Sequence, residues 1–328
     1  MISFCQFGAG RIGAIHAANL AAHPGARLHT IVDTDREAAE RLAGGYGAAV
    51  GNRAQALADP AIDAVVIASS TDTHADLVEG AARAGKAIFC EKPLDLDRGR
   101  AEACVAVAEQ CGVPLMVGFN RRFDPNFAQL EREIRAGHIG RPELLTIISR
   151  DPAPPPIDYV RRSGGLFRDM TIHDLDMARW LLGEEPVELF TAASVLVDPA
   201  IGEAGDVDTT VVTLRMKSGA LCQISNSRRA IYGYDQRIEA FGSKGALQAG
   251  NVVQSTVVFS GADGIVSDKP LNFFLDRYAE AYRRELDHFI GAVTGHTAPL
   301  VSGKDGIRAL ALADAAARSW RTGRAVKF

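Results

Sequence analysis

A chain of 328 residues, 47% hydrophobic and 23% charged, has length for about two domains, each burying its own core. Its net charge of −4 supplies no basic field, so nucleic acid and anionic membranes are not expected partners, and no apolar run reaches membrane-spanning length. The five cysteines (Cys5, Cys90, Cys104, Cys111, Cys222) are odd in number and form no C-x-x-C. With no basic-then-apolar leader ahead of the first strand, they fit reduced thiols in a cytoplasmic protein.

Residues 2–7 form a short apolar run ending at Gly8-Ala9-Gly10-Arg11-Ile12-Gly13, and residues 14–22 then read as helix. Strand, G-x-G-x-x-G, helix is the context that a dinucleotide fingerprint requires. Gly8 permits the tight turn, Gly10 lets backbone approach a pyrophosphate at the helix N-terminus, and Gly13 allows close packing of helix on strand; Arg11 and Ile12 complete the loop. A second run, 28–32, ends in Asp33, 20 residues past Gly13. A carboxylate there accepts hydrogen bonds from ribose hydroxyls and repels a 2′-phosphate, so NAD is expected; Arg36 nearby keeps NADP as the lesser alternative.

The alternation continues with strands at 64–68, 87–90 and 113–117 and helices at 73–84 and 97–110, which predicts a mostly parallel sheet with ligands at its carboxyl strand ends. Ser69, Ser70, Glu91 and Lys92 fall at such ends, and Asn120 and Arg122 follow the last strand. Lys92 is either a solvated loop lysine or an ammonium beside a developing alkoxide. Pro93 restricts Lys92 to extended backbone and permits a cis bond.

Beyond a helix at 124–136 and a strand at 143–149, prolines 152–156 predict an extended loop bordering a cleft. The stretch 164–176 (Gly-Gly-Leu-Phe-Arg-Asp-Met-Thr-Ile-His-Asp-Leu-Asp) has a helical apolar rhythm. An α-helix there sets Asp169 and His173 one turn apart on a common side, continued by Asp176 and Trp180. The pair is either an exposed intrahelical ion pair or a general base with its orienting carboxylate. Strand-like runs at 187–197, 208–216, 220–226, 236–241 and 252–259, separated by turn signals, predict an antiparallel meander. Helices at 276–293 and 304–322 and a short strand at 325–328 finish the chain. Of the remaining histidines, His16, His23, His29, His138 and His296 lack supporting neighbours in sequence, and His74 is placed to shape the cofactor cleft without a chemical role.

Gly8 to Gly13, Glu91-Lys92-Pro93 and the Asp169–His173 spacing together resemble the glucose-fructose oxidoreductase/inositol dehydrogenase/rhizopine catabolism (Gfo/Idh/MocA) family, and the resemblance spans essentially the whole chain. Ser149-Arg150-Asp151-Pro152, the run from Ser163 to Asp174 and Tyr232-Gly233-Tyr234-Asp235 look like its inositol 2-dehydrogenases. The resemblance implies an α/β chain with a doubly wound Rossmann domain (1–120) and an α+β domain (121–328). The latter carries a large, open, mostly antiparallel sheet used for dimer or tetramer contacts, and its C-terminal helix is a candidate to pack back on the first domain. It implies Lys92, Asp169 and His173 as catalytic residues, Asp158 and Tyr234 as polyol contacts, and NAD-dependent oxidation of a cyclic polyol such as myo-inositol; Asn120 and Arg122 are further candidate donors. Three rivals stay open: a dehydrogenase of another inositol isomer or sugar, a metal enzyme using Asp169, His173 and Asp176, and an NAD(H)-binding regulator without chemistry.

Overall fold

In β1 (Ile2–Phe7) the last four residues are buried, as in a strand covered on both faces. The computed structural model describes all 328 residues and continues with α1 (Arg11–Ala22), β2 (Ala26–Val32), α2 (Arg36–Tyr46), β3 (Ala49–Val50), α3 (Arg53–Ala58) and β4 (Ala64–Ile67). Next come α4 (His74–Arg83), β5 (Ala87–Glu91), α5 (Arg98–Cys111) and β6 (Leu115–Gly118). The six strands make one parallel sheet in the order β3-β2-β1-β4-β5-β6. The strand order reverses between β1 and β4, where a doubly wound sheet opens a crevice at its carboxyl ends. Side chains of Asp35, Asn52 and Asp97 cap α2, α3 and α5, each accepting a backbone N–H of the first turn.

The chain divides into two units, Met1–Asn120 with Tyr282–Leu310, and Arg121–Ala281 with Ala311–Phe328. Residues 282–310 join the opening 120 residues in one unit, through aromatic packing. Phe289 sits 6.2 Å from Phe4 and 5.7 Å from Phe89, and the Tyr282 ring 5.7 Å from that of His16. Phe4, Phe89 and Phe289 are all buried there.

The second unit holds α6 (Pro125–Arg135), β7 (Pro142–Arg150), α7 (Ile157–Arg162), α8 (Ile172–Leu182), β8 (Pro186–Ser194), α9 (Pro199–Glu203), β9 (Thr209–Met216), β10 (Leu221–Ser227), β11 (Asp235–Gly242) and β12 (Gly245–Ala249). A separate hairpin, β13 (Val258–Gly261) and β14 (Gly264–Ser267), precedes α10 (Phe274–Arg277). The helices α11 (Ala279–Val293) and α12 (Gly303–Thr322) are each shared between the units, and β15 (Val326–Lys327) ends the chain.

The main sheet runs β12-β11-β7-β10-β9-β8-β15, antiparallel except for β7 beside β10. The expected meander therefore holds only from β8 to β10. β7 enters between β10 and β11 and pairs in parallel with β10 from Leu144↔Leu221 to Arg150↔Ser227, so residues 228–234 cross it instead of turning back. The strand expected at 252–259 is replaced by β12, joined to β11 by the tight Gly242–Gly245 turn, and by the separate hairpin. No helix is long and apolar enough to cross a membrane.

Candidate active site

In the first unit the glycines divide the work. Gly8 has φ +103°, and a Cβ there would meet the Ala68 carbonyl oxygen at 2.4 Å. A Cβ on Gly13 would lie 2.2 Å from the Gly8 oxygen. At Gly10 a Cβ would meet nothing within 4 Å, and no side chain caps α1 there. Two glycines thus serve the protein's own packing, and the third leaves a helix N-terminus open to an anion; these residues fit a pyrophosphate. Arg11, the first residue of α1, is exposed, and Ile12 is half-buried. Asp33, just past β2, accepts the Ala9 N–H at 2.6 Å and the Asp35 N–H at 2.8 Å, so its carboxylate is moored at the glycine turn.

The β4 and β5 ends supply the rest. Ser69 is half-buried with its hydroxyl 2.7 Å from that of Thr73, whereas Ser70 is exposed. Lys92 is half-buried and joined to Pro93 by a cis peptide bond. Glu91, expected on the cofactor side, turns inward and is buried 2.8 Å from His16 Nε2, which gives His16 the partner that its sequence neighbours lack.

The second unit places Asp169 in a π-helical turn, Phe167–Thr171, with His173 just inside α8. This corrects the expected single α-helix: a π turn is wider than an α turn, and such turns recur at functional sites. Two residues that sequence reasoning missed hold the carboxylate. Tyr159 donates its hydroxyl to Oδ1 at 2.9 Å, and the buried Arg228 guanidinium lies 3.3 and 3.4 Å from Oδ2. Asp151 stands nearby, where burial pushes its carboxyl up to about 6 despite the attraction of Arg228, and the charge of Asp169 adds to the rise.

Asp176, further along α8, is 1% exposed. It is buried against Arg122, with bonds of 2.8 and 2.5 Å, and Arg179 lies 3.7 Å away. The Arg122 guanidinium, a candidate polyol donor, is buried in this pair. Asp176 so engaged leaves the metal reading short of a ligand, and no group of three or more metal-binding side chains occurs. A parallel pair, Arg121 and Asp174, is buried at 2.5 Å, with Asn226 donating to Asp174 at 2.7 Å.

Of the expected polyol contacts, Asp158 is exposed and 3.5 Å from Arg161, so the residue beside it, Tyr159, is the one that reaches the catalytic candidate. Tyr234 is buried, its ring edge-on to Tyr278 at 6.0 Å, and burial raises its phenol well above the usual range. Asn120 is buried at the end of the first unit's opening segment.

Residues 2–119 match the oxidoreductase family with an NAD-binding Rossmann fold, GFO/IDH/MocA, and residues 127–248 match its C-terminal domain. The chain belongs to the Gfo/Idh/MocA family. It is 53% identical to the inositol 2-dehydrogenase of Rhizobium meliloti, covering 97% of this chain and 96% of that one. It is 51% identical to the myo-inositol 2-dehydrogenase of Thermotoga maritima, covering 98% and 97%. The scyllo-inositol dehydrogenase of Lactobacillus casei, solved with NAD(H) and scyllo-inositol, superposes with a TM-score of 0.93 at 28% identity, over 100% of this chain and 99% of that one. Within this family the chain is an oxidoreductase of CH–OH donors with an NAD-binding Rossmann unit.

Proposed function

We propose that this member of the family oxidises one secondary hydroxyl of a cyclic polyol, myo-inositol to 2-keto-myo-inositol, using NAD. The observation that carries the reading is identity above half, over nearly the whole length, to two enzymes named for that reaction, in a chain that carries Lys92, Asp169 and His173. NAD, held at the Gly8–Gly13 turn and Asp33, would supply the acceptor for the hydride of the carbinol carbon. His173 takes the hydroxyl proton, and Asp169, fixed by Tyr159 and Arg228, favours the imidazolium that results. Lys92 stabilises negative charge growing on the same oxygen. Tyr234, Asn120 and Asp158 are proposed as polyol contacts, because a neutral polyol is recognised only through several hydrogen bonds at once.

NAD is favoured over NADP by the Asp33 carboxylate at the ribose end of β2. Arg36, the residue that would favour a 2′-phosphate, is 2.7 Å from Glu40. We place the enzyme in the cytoplasm as a homo-oligomer. Phe241, Leu144 and Leu221 lie abreast on three neighbouring strands and are 47%, 39% and 43% exposed, an apolar row that a second copy of the chain would cover.

The test is absorbance at the reduced-nicotinamide band, with NAD⁺ or NADP⁺, against a panel of inositols and aldoses. NAD⁺ with myo-inositol gives the highest kcat/KM. A preference for scyllo-inositol or an aldose would reassign the substrate, and no reduction with any polyol would return the protein to NAD(H)-binding regulation. Light scattering on the purified protein reads the oligomer, and a monomer would end the second-copy assignment.

A further inference from the structure

Two buried histidines stand on either side of Lys92 in the chain's hydrogen bonding. On one flank the Glu91 carboxylate meets His16 Nε2 of α1 at 2.8 Å. On the other, His74, the first residue of α4 and 1% exposed, has Nδ1 2.8 Å from the Pro93 carbonyl oxygen and Nε2 3.1 Å from that of Ser69. Pro93 has no N–H, so its carbonyl is the one backbone group through which this residue can be hydrogen-bonded. The Ser69 carbonyl belongs to the strand end that the cofactor reading uses. His74 therefore holds the Lys92–Pro93 turn to the start of α4, and His16 ties Glu91 to the helix whose N-terminus is open to a pyrophosphate.

Both atoms facing His74 are carbonyl oxygens, which only accept. A neutral ring donates once, and the shorter contact assigns that proton to Nδ1, toward Pro93. Burial pushes the imidazole pKa down, against the two carbonyls and the charges of Glu91 and Asp95. The single firm bond of the neutral ring is thus the one to the residue after Lys92.

We propose that His74 is a positioning residue for the reaction, holding Lys92 in place through the Pro93 carbonyl, with His16 as the matching anchor through Glu91. The inference rests on the reading of Lys92 as catalytic. A lysine let loose by an ångström loses about 10- to 100-fold in turnover. H74A lowers kcat for inositol oxidation by that factor while the NADH dissociation constant moves by less than about threefold. H74N carries an amide N–H where Nδ1 stood and recovers most of the rate. H74Q carries its amide where Nε2 stood and does not. Both polar variants are compared at equal thermal stability, so that poor folding of H74A leaves the test intact.

The decisive arm is a double-mutant cycle with K92M. If His74 acts through Lys92, adding H74A to K92M costs no more than about twofold further in kcat. Equal rates for H74N and H74Q, or a full loss on adding H74A to K92M, overturns the proposal. Unimpaired turnover of K92M alone would instead overturn the catalytic reading of Lys92, so the two failures are distinguishable.

Discussion

The two units build their candidate sites from different material. The first makes its cradle out of backbone: a glycine with φ +103°, a glycine against which Cβ has no room, a helix N-terminus, and an aspartate moored on an amide. The second holds its candidate residue Asp169 by a side chain far away in sequence, Arg228 across 59 residues, and buries two further pairs, Arg121 with Asp174 across 53 and Arg122 with Asp176 across 54. A cradle closed by backbone, as at Gly8 and Gly13, has no room for added atoms but needs few side chains. Side-chain sites tolerate shape changes but depend on every charge keeping its partner, because an unpaired buried charge is costly.

The largest effect that would break this contrast is in the first unit. Gly13→Ala puts a methyl within 2.2 Å of the Gly8 oxygen, and we expect a loss of about 3 kcal/mol in chemical denaturation, from overpacking with no side chain to yield. A stable Gly13→Ala protein would show that the cradle is not closed by backbone contact.

Arg228→Met tests the other unit. It keeps bulk, removes the guanidinium from Asp169, and is expected to lower turnover about tenfold, by about 1–2 kcal/mol, with Arg228→Lys in between. Unchanged kcat in Arg228→Met would make the arginine a packing residue only.

Asp151 sharpens the electrostatic side. Its carboxyl, raised from 3.8 to about 6, ionises later in the folded chain than in the unfolded one. Folded protein then binds more protons across that window, so Asp151 lowers stability progressively as pH rises from about 4 to about 6, and the cost is complete above. Asp151→Asn removes the cost: its advantage over the parent grows between pH 4 and pH 7 to at most about 3 kcal/mol. Thermal melts at the two pH values check this, and a constant gap would contradict it.

Tyr159→Phe is the smallest change. It deletes the 2.9 Å bond to Asp169 Oδ1, and a loss of about fivefold in kcat, near 1 kcal/mol, is expected from steady-state rates.

The same contrast explains what could be read in the residues. The roles proposed for Gly8, Gly10, Gly13 and Asp33 can be read from spacing, because a dinucleotide turn is a local object. The parallel sheet followed from the strand–helix alternation for the same reason. Arg228 and Tyr159 carried no such signal: one follows a strand and the other sits in a short helix after the prolines, and only the fold brings them to Asp169. The path of β7 between β10 and β11 escaped for a related cause, since turn residues report hairpins and not which earlier strand enters between them. The π turn at Asp169 was hidden because apolar rhythm does not separate a wide turn from an α turn over five residues.

The most direct test sets one residue from each unit against the other. NADH affinity by fluorescence and turnover by absorbance are measured for Gly10→Val and His173→Ala. At Gly10 an added Cβ has no protein atom within 4 Å, so the variant is expected to fold, but it blocks the pyrophosphate and NADH binding is lost. His173→Ala binds NADH as the parent does and turns over about 10²- to 10⁴-fold more slowly. If Gly10→Val still binds NADH, or His173→Ala oxidises inositol at the parent rate, the division between a backbone cofactor cradle and a side-chain proton site is contradicted.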